Sequence, residues 1–362
     1  MTLTPTVAVF EEYNDNILLN NLARRSDWVT GVTPGFTLAI EGGTYRLAGG
    51  YSFTAEAYAR ESSLSEVFSR QNLSLDGAYH PSRLLTLTLT DSFVASVNTN
   101  LVAPTSVATG RSRAWSNTVT PGAVWQLTPV TTLHLSGTHV AQRFERSDLA
   151  ESDDYRASGA LERRLTSRLS GTAGYQLAYL DVEGEPGVTT HTPRLGALYR
   201  FTETLTGFAS AGPTFELGEG GRDRVTPAAT ASLRQELSFG SVAVDYDRAI
   251  GTAGGLGGTT DNEMVGGLLR ITTVWKGLAL ELGPRYTSAR SDDGRIDVRT
   301  LTLILRSSYR LTTWMSVFAG YSFFQQRSAS TSVSGSGLPL AGDIDQNRMS
   351  IGLQVGYPMG LD

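Results

Sequence analysis

Alternation with a period of two residues runs from one end of this chain to the other, and no other feature restricts its fold as tightly. From Leu301 to Tyr309 the order is Leu-Thr-Leu-Ile-Leu-Arg-Ser-Ser-Tyr, and from Arg348 to Tyr357 it is Arg-Met-Ser-Ile-Gly-Leu-Gln-Val-Gly-Tyr. Successive side chains of a strand point to opposite faces, so each such segment has one apolar face and one small or polar face. Near the C-terminus Met349, Ile351, Leu353, Val355 and Tyr357 share a face, against Arg348, Ser350, Gly352, Gln354 and Gly356. Near the N-terminus Trp28, Val32, Pro34, Phe36, Leu38 and Ile40 oppose Val29, Gly31, Thr33, Gly35 and Thr37. Midway, Trp115, Val119, Ala123, Trp125 and Leu127 oppose Ser116, Thr118, Thr120, Gly122 and Gln126.

The segments read as strands at roughly 3–16, 27–41, 43–59, 66–80, 83–96, 112–127, 130–144, 153–165 and 168–182. They continue at 188–201, 204–217, 223–239, 241–251, 261–274, 278–290, 295–309, 313–327 and 345–357, eighteen in all. Their connections fall into two alternating classes. Short turns sit at 41–43, 80–82, 127–129, 165–167, 201–203, 239–241, 275–277 and 311–313. Longer polar loops sit at 17–26, 97–111, 145–152, 183–188, 218–222, 252–260, 291–294 and 328–344. An even strand count, one apolar face per strand, and short turns opposite long loops specify an all-β, up-and-down antiparallel transmembrane barrel, with the short turns periplasmic. The sequences entering the turns repeat (Trp125-Gln126-Leu127-Thr128, Arg164-Leu165-Thr166, Tyr199-Arg200-Phe201-Thr202, Tyr309-Arg310-Leu311-Thr312), as expected of a duplicated hairpin.

Composition excludes the main competitors. No run of about 18 apolar residues exists, which excludes membrane-spanning helices. The net charge of -5 argues against nucleic acid as a partner. Cysteine is absent, and Lys276 is the one lysine among 30 basic residues. Met1-Thr2-Leu3-Thr4-Pro5 lacks the basic start and apolar core of a signal peptide, so residues 1–362 read as one mature barrel domain with an added or retained Met1. Tyr79, Trp125, Tyr199, Phe201, Trp275, Tyr309, Trp314 and Tyr357 cluster at strand ends, where amphipathic rings meet lipid headgroups.

A barrel this wide encloses water unless something fills it. No separate plug domain is visible, and 97–111 and 328–344 are the segments long enough to fold inward. The candidate lining residues are Arg46, Glu56, Arg70, Asp76, Arg156, Arg168, Arg194, Arg234, Glu236, Asp245, Arg270, Glu281, Arg285, Arg299, Arg306 and Arg348, together with Glu162, Arg200 and Asp247. Arginine predominates. Its rigid fork of donors suits anionic or hydroxyl-rich solutes, although the same residues paired with carboxylates would only keep the wall solvated. Tyr58, Phe68, Phe208, Phe318 and Phe324 also fall inward, too scattered for a sugar-stacking slide.

Catalysis and cofactors have little support. His80, His134, His139 and His191 are too dispersed for a metal pair, and no Ser-His-Asp set converges, so no cofactor, metal or enzymatic activity is expected. Ser291-Asp292-Asp293-Gly294 and Asp343-Ile344-Asp345 lack the full oxygen spacing of a calcium loop. The glycine-rich run 251–258 opens no helix and lacks the Lys-Ser/Thr ending of a phosphate loop, so it reads as a flexible external loop.

Two patches resemble a known family. Glu11-Glu12-Tyr13-Asn14-Asp15-Asn16-Ile17-Leu18, followed by Ser26-Asp27-Trp28-Val29-Thr30 and Val32-Thr33-Pro34-Gly35, is similar to the opening of the β-barrel porin 2 family. Val355-Gly356-Tyr357-Pro358 resembles that family's ending, and Asn14 departs from its usual Thr or Ser. The resemblance implies an integral outer-membrane barrel of a Gram-negative bacterium, with no catalytic set to carry over. It also implies export of an exopolysaccharide in concert with periplasmic and inner-membrane secretion proteins. A general or solute-selective diffusion porin is the alternative. A structural sheath around a partner protein is the third reading.

Overall fold

A computed structural model of the chain describes residues 1–102, 107–218, 223–272, 274–330 and 340–361. Eighteen antiparallel strands make its wall. They are β1 Thr2–Asn14, β2 Asp27–Glu41, β3 Tyr45–Tyr58, β4 Glu66–Ser82, β5 Leu85–Asn98, β6 Arg111–Thr128, β7 Thr131–Phe144, β8 Ser152–Arg164 and β9 Leu169–Val182. Then come β10 Val188–Arg200, β11 Leu205–Gly218, β12 Arg224–Leu237, β13 Gly240–Gly251, β14 Thr260–Ile271, β15 Leu278–Arg290, β16 Asp297–Arg310, β17 Met315–Ser328 and β18 Ile344–Gly356. Each strand pairs with its neighbours in sequence, and β1 closes on β18 from Thr6 opposite Gly356 to Asn14 opposite Arg348. Closure leaves no free edge, so every strand can satisfy its backbone groups within a bilayer. Beyond Pro358, Met359 and Gly360 pair with Leu3 and Thr2 and lengthen the seam.

The two classes of connection lie at opposite ends of the barrel, as the sequence requires. One further connection, residues 59–65 with a turn of 3₁₀ helix at Ser62–Leu64, belongs to the long-loop end. The repeated Leu/Phe-Thr at the short turns has a local cause. Thr166 Oγ1 accepts the N–H of Leu169 at 3.0 Å, Thr202 that of Leu205 at 2.9 Å, and Thr312 that of Met315 at 3.0 Å. Each hydroxyl closes its turn by taking a backbone donor that the ladder has released.

The outer surface is the apolar face of the alternation: Leu195 is 73% exposed and Ile351 61%. Such exposure over the whole girth would be untenable in water and is what lipid requires, so this is an integral outer-membrane barrel. Aromatics bound the apolar band on both sides. The girdle read from the sequence lies at the short-turn end, and a second one includes Trp28 tilted against Tyr13 (5.3 Å), Trp115 beside Phe93 (5.9 Å), and Tyr155. Trp115 and Trp125 share the outer face of β6, ten residues apart. At about 3.4 Å per residue and a tilt of about 40°, that is a height of about 26 Å, the thickness of the apolar band of such barrels. The strands extend past the second girdle, so their loop-side ends stand above the membrane.

Two irregularities matter for the lumen. Between β3 and β4 the register jumps from Thr54 opposite Arg70 to Glu56 opposite Glu66. The extra residues turn Ser69 inward, its hydroxyl on the Thr54 carbonyl at 3.0 Å, and leave Val67 and Phe68 both exposed on the outside. Phe68, expected in the lumen, instead packs on the outer face against Phe53 at 4.8 Å, because the bulge reverses the alternation there. Farther round, β12–β13 pairing ends at Ala229 opposite Arg248, whereas β13–β14 pairing runs on to Gly251 opposite Thr260. The released hairpin tip leans over the lumen, where Ile250 packs on Ala178 and Leu180 of β9.

The buried apolar core of the molecule is therefore made of loops. Val107, Leu149, Ala253, Leu256, Ile296, Leu340 and Ala341, from five connections, pack with Ala289, Val298 and Phe144 in one cluster at the extracellular end. Leu19, Ala108, Phe324 and Ile344 form a second cluster, and Ile17, Val29 and Tyr58 a third. Residues 103–106 and 331–339 lie outside the described residues. Flanking positions of both long loops do enter the cluster, but so do 145–151, 252–259 and 291–296, so inward folding is not confined to the two longest segments. The run 251–258 is packed and not a flexible external loop. Gly254, Gly255, Gly257 and Gly258 have φ values of 47°, 87°, 79° and 71°, a left-handed path that glycine takes without a Cβ penalty. Along it Gly255 approaches Phe144 and Leu149, and its carbonyl accepts the N–H of Ala150 at 2.9 Å.

Candidate functional site

The inner face of the wall carries charge at three levels. Just below the loops, on β1, β3, β4 and β18, Arg348 donates to both oxygens of Glu12 at 2.8 Å. Arg70 grips Glu56 at 2.5 and 3.0 Å and lies 4.0 Å from Glu12. The Tyr58 hydroxyl donates to Glu56 at 3.1 Å and accepts from Arg111 Nη1 at 2.9 Å. Glu56 is 4% exposed and Arg348 9%, so these groups are buried as a matched set that braces the wall. Aromatic rings fit the same wall through missing side chains: a Cβ on Gly31 would collide with the ring of Phe10, and one on Gly352 with Phe318.

At the middle level a cavity of about 580 Å³ lies between β7–β11 and the inward-leaning β13–β14 tip. Arg156 forks onto Asp154, with Nε at 2.9 Å and Nη2 at 2.5 Å, and crosses the lumen to the Ile250 carbonyl at 3.3 Å. Arg194 donates to the Thr230 hydroxyl at 3.0 Å, and Thr230 in turn donates to Asp247 at 2.9 Å. Arg194 Nε is buried at the cavity without a hydrogen-bond partner among the described residues. Phe208, Ser136, Ser158, Ser210 and Asn262 add a ring, hydroxyls and an amide to its lining. Asp245 points inward on β13, opposite Ser232 and Gly266.

At the periplasmic level Arg46 pairs with Asp76 at 3.0 Å, and Arg270 and Arg306 share Glu281 at 3.0 and 3.7 Å. Glu162 lies 3.4 Å from His134. Arg234 and Glu236 share the inner face of β12, while Arg285, in register with Asp245 through Gly266, faces inward higher up opposite Thr302. Arg168 belongs to the turn before β9 and not to a strand, and borders a cavity with Arg164 and Arg200. Among the described residues Arg164, Arg168, Arg194, Arg200, Arg234 and Arg285 enter no ion pair, and neither do the inward carboxylates Glu236, Asp245 and Asp247.

Arg299 is a correction. It alternates with Val298 and Thr300, which are buried inside, so it stands on the outer face 3.6 Å from Asp297. It sits two residues above Leu301, which pairs with Tyr286 of the upper girdle. There the outward face meets headgroups, and charge no longer marks the lumen. The same zone holds Asp153 between His139 (2.9 Å) and Arg143 (2.7 Å), and Arg248 on Asp261 (2.7 Å). Glu12, Asp154, Arg111 and Arg164 were not singled out in the sequence, although period two alone places Glu12 beside Asn14 and Asp154 beside Arg156. Neither acidic loop gathers its oxygens around a cation site: Asp293 engages Ser291 and Arg295, while Asp345 engages Arg327, Gln325 and Asn21.

No protein-family model matches the chain, and no curated protein matches it. Among solved structures, the barrel is similar to OpdO of Pseudomonas aeruginosa, at 12% identity over 99% of this chain and 97% of that one, with a TM-score of 0.47. It is similar to OpdK of the same organism, at 12% identity over 98% of each chain and a TM-score of 0.47. OccAB2 of Acinetobacter baumannii gives 11% identity over 99% and 98%, with a TM-score of 0.47. At that level of likeness no residue role passes from them to this chain.

Proposed function

We propose that this barrel is a solute-selective diffusion channel for small anionic or hydroxyl-rich solutes. The observation that carries this reading is the β13–β14 tip, which leans across the lumen until Arg156 meets the Ile250 carbonyl at 3.3 Å. The loop cluster above it roofs the same passage with Val107, Leu149, Leu256 and Leu340. A solute entering from outside must pass between packed loops and a wall of fixed arginine forks and hydroxyls. Guanidiniums already oriented by Asp154 and Thr230 can offer their remaining N–H groups at little entropic cost, which favours carboxylate, phosphate and sugar hydroxyls.

That narrowing favours small solutes over the polysaccharide strand implied by the terminal patches, since a polymer needs a continuous open path past both obstructions. Purified protein in planar bilayers tests the reading. Under a KCl gradient the zero-current potential should report anion preference, and oligomeric dextran added outside should leave the current undiminished, because it cannot enter. Cation preference, or block by dextran threading into the lumen, would refute it.

A further inference from the structure

We infer that the periplasmic mouth of the lumen is a binding site for phosphate-bearing solutes, built by Arg164, Arg168 and Arg200. These residues come from the end of β8, the turn before β9 and the end of β10, and surround a cavity of about 380 Å³ shared with Thr166, Ser170 and Leu198. No carboxylate lines it. Elsewhere on the rim Arg46 is matched by Asp76, and Arg270 and Arg306 by Glu281. The nearest acid on β8, Glu162, is turned to His134 at 3.4 Å.

None of the three arginines is neutralised: the side chain of Arg164 is anchored, and Arg168 and Arg200 are positioned through their backbones. Arg164 Nη2 donates to the Pro129 carbonyl at 2.9 Å, which fixes the guanidinium and spends one of its five donors. The N–H of Arg200 binds the Arg168 carbonyl at 2.9 Å, tying β10 to the turn. Thr166 Oγ1 accepts from the backbone of Arg168 at 3.2 Å and of Leu169 at 3.0 Å, so its own proton is left to donate. Three unpaired cations, one of them anchored by its side chain, and a free hydroxyl around a small cavity complement a tetrahedral dianion better than a planar monoanion, and a phosphate ester carries between one and two negative charges at neutral pH. The ligand is a solute and not a lipid headgroup. Arg164 and Arg200 occupy the lumen face, while Leu165 and Phe201 turn toward lipid at the same height, 58% and 49% exposed.

The inference rests on the barrel geometry and not on the selectivity proposed above, so either can fail alone. The full-length barrel in detergent micelles, titrated with inorganic phosphate at low ionic strength by calorimetry, tests it. One saturable site is expected, weakened about tenfold or more in R164Q/R168Q/R200Q, as for lost hydrogen bonds to a charged group. The single variant R168Q should show a smaller loss, R46Q should bind as the parent does, and excess chloride should weaken binding without abolishing it. Heat-modifiable migration on gels confirms that each variant is folded, and R168Q with R200Q as single changes serve if the triple does not fold. Absence of saturable binding in the parent, unchanged affinity in folded variants, or equal loss in R46Q would overturn the assignment.

Discussion

Leu353 offers a quantitative test of which face meets lipid. It lies on β18 between Val9 of β1 and Val317 of β17, 48% exposed in a patch of aliphatic neighbours. Tyr357 of the periplasmic girdle is four residues away, so at about 3.4 Å per residue and about 40° tilt Leu353 stands about 10 Å above it, within a few ångströms of the middle of a band about 25 Å thick. Leu353→Arg should therefore destabilise the barrel by about 2–4 kcal/mol, the cost of arginine at the bilayer midplane. Gln354→Arg, one residue on and facing Ala8 and Ser316 inside, should cost well under about 1 kcal/mol because the lumen is wet. Met349→Arg, about 21 Å above Tyr357 and opposite Tyr13 of the upper girdle, should cost about 0–1 kcal/mol. Reversible urea unfolding from phospholipid vesicles measures all three. Equal penalties at 353 and 354 would refute the assignment of faces, and equal penalties at 349 and 353 would refute the placement of the membrane.

Arg348→Met should cost about 3–5 kcal/mol in the same assay, because Glu12 would remain buried beside Glu56 with half of its compensation gone; a loss under about 1 kcal/mol would mean that water reaches this network. The Asp293 carboxyl is held down to about 2 by the Ser291 hydroxyl and then by the backbone N–H and guanidinium of Arg295. A depressed carboxylate stabilises above its unfolded value of 3.8 and loses that effect as pH falls through the folded value. The loop at 291–296 should thus stay anchored at pH 5 and loosen only between about pH 4 and 2. Carbon-detected NMR of the carboxyl checks this, and a midpoint near 4 would contradict it.

The wall was legible in the sequence because a bilayer imposes one apolar face on every strand it contains, which makes period two sufficient for the strand count and for the closed antiparallel barrel. Legibility ended where that constraint ended. Arg299 lies above the upper girdle, where lipid no longer selects the outward face, so charge misplaced it. Phe68 lies in a bulge whose two extra residues leave no mark in composition. The inward turn of 250–259 depends on contacts with Ala178, Leu149 and Phe144, far away in sequence, while locally the run offers only glycines and two buried apolar side chains, Ala253 and Leu256. Its neighbours, not its own residues, give it an inside. The arginine pocket at the periplasmic mouth was half visible, as Arg168 and Arg200 were read as lining while Arg164 was absorbed into the repeated turn motif.

Removal of residues 252–258, with β13 and β14 rejoined through a short glycine linker, bears most directly on the claim that this hairpin tip narrows the lumen. Single-channel recordings of the folded variant in planar bilayers should show conductance rising severalfold, with admission of polymers that the parent excludes. Conductance and polymer exclusion equal to those of the parent would contradict the account.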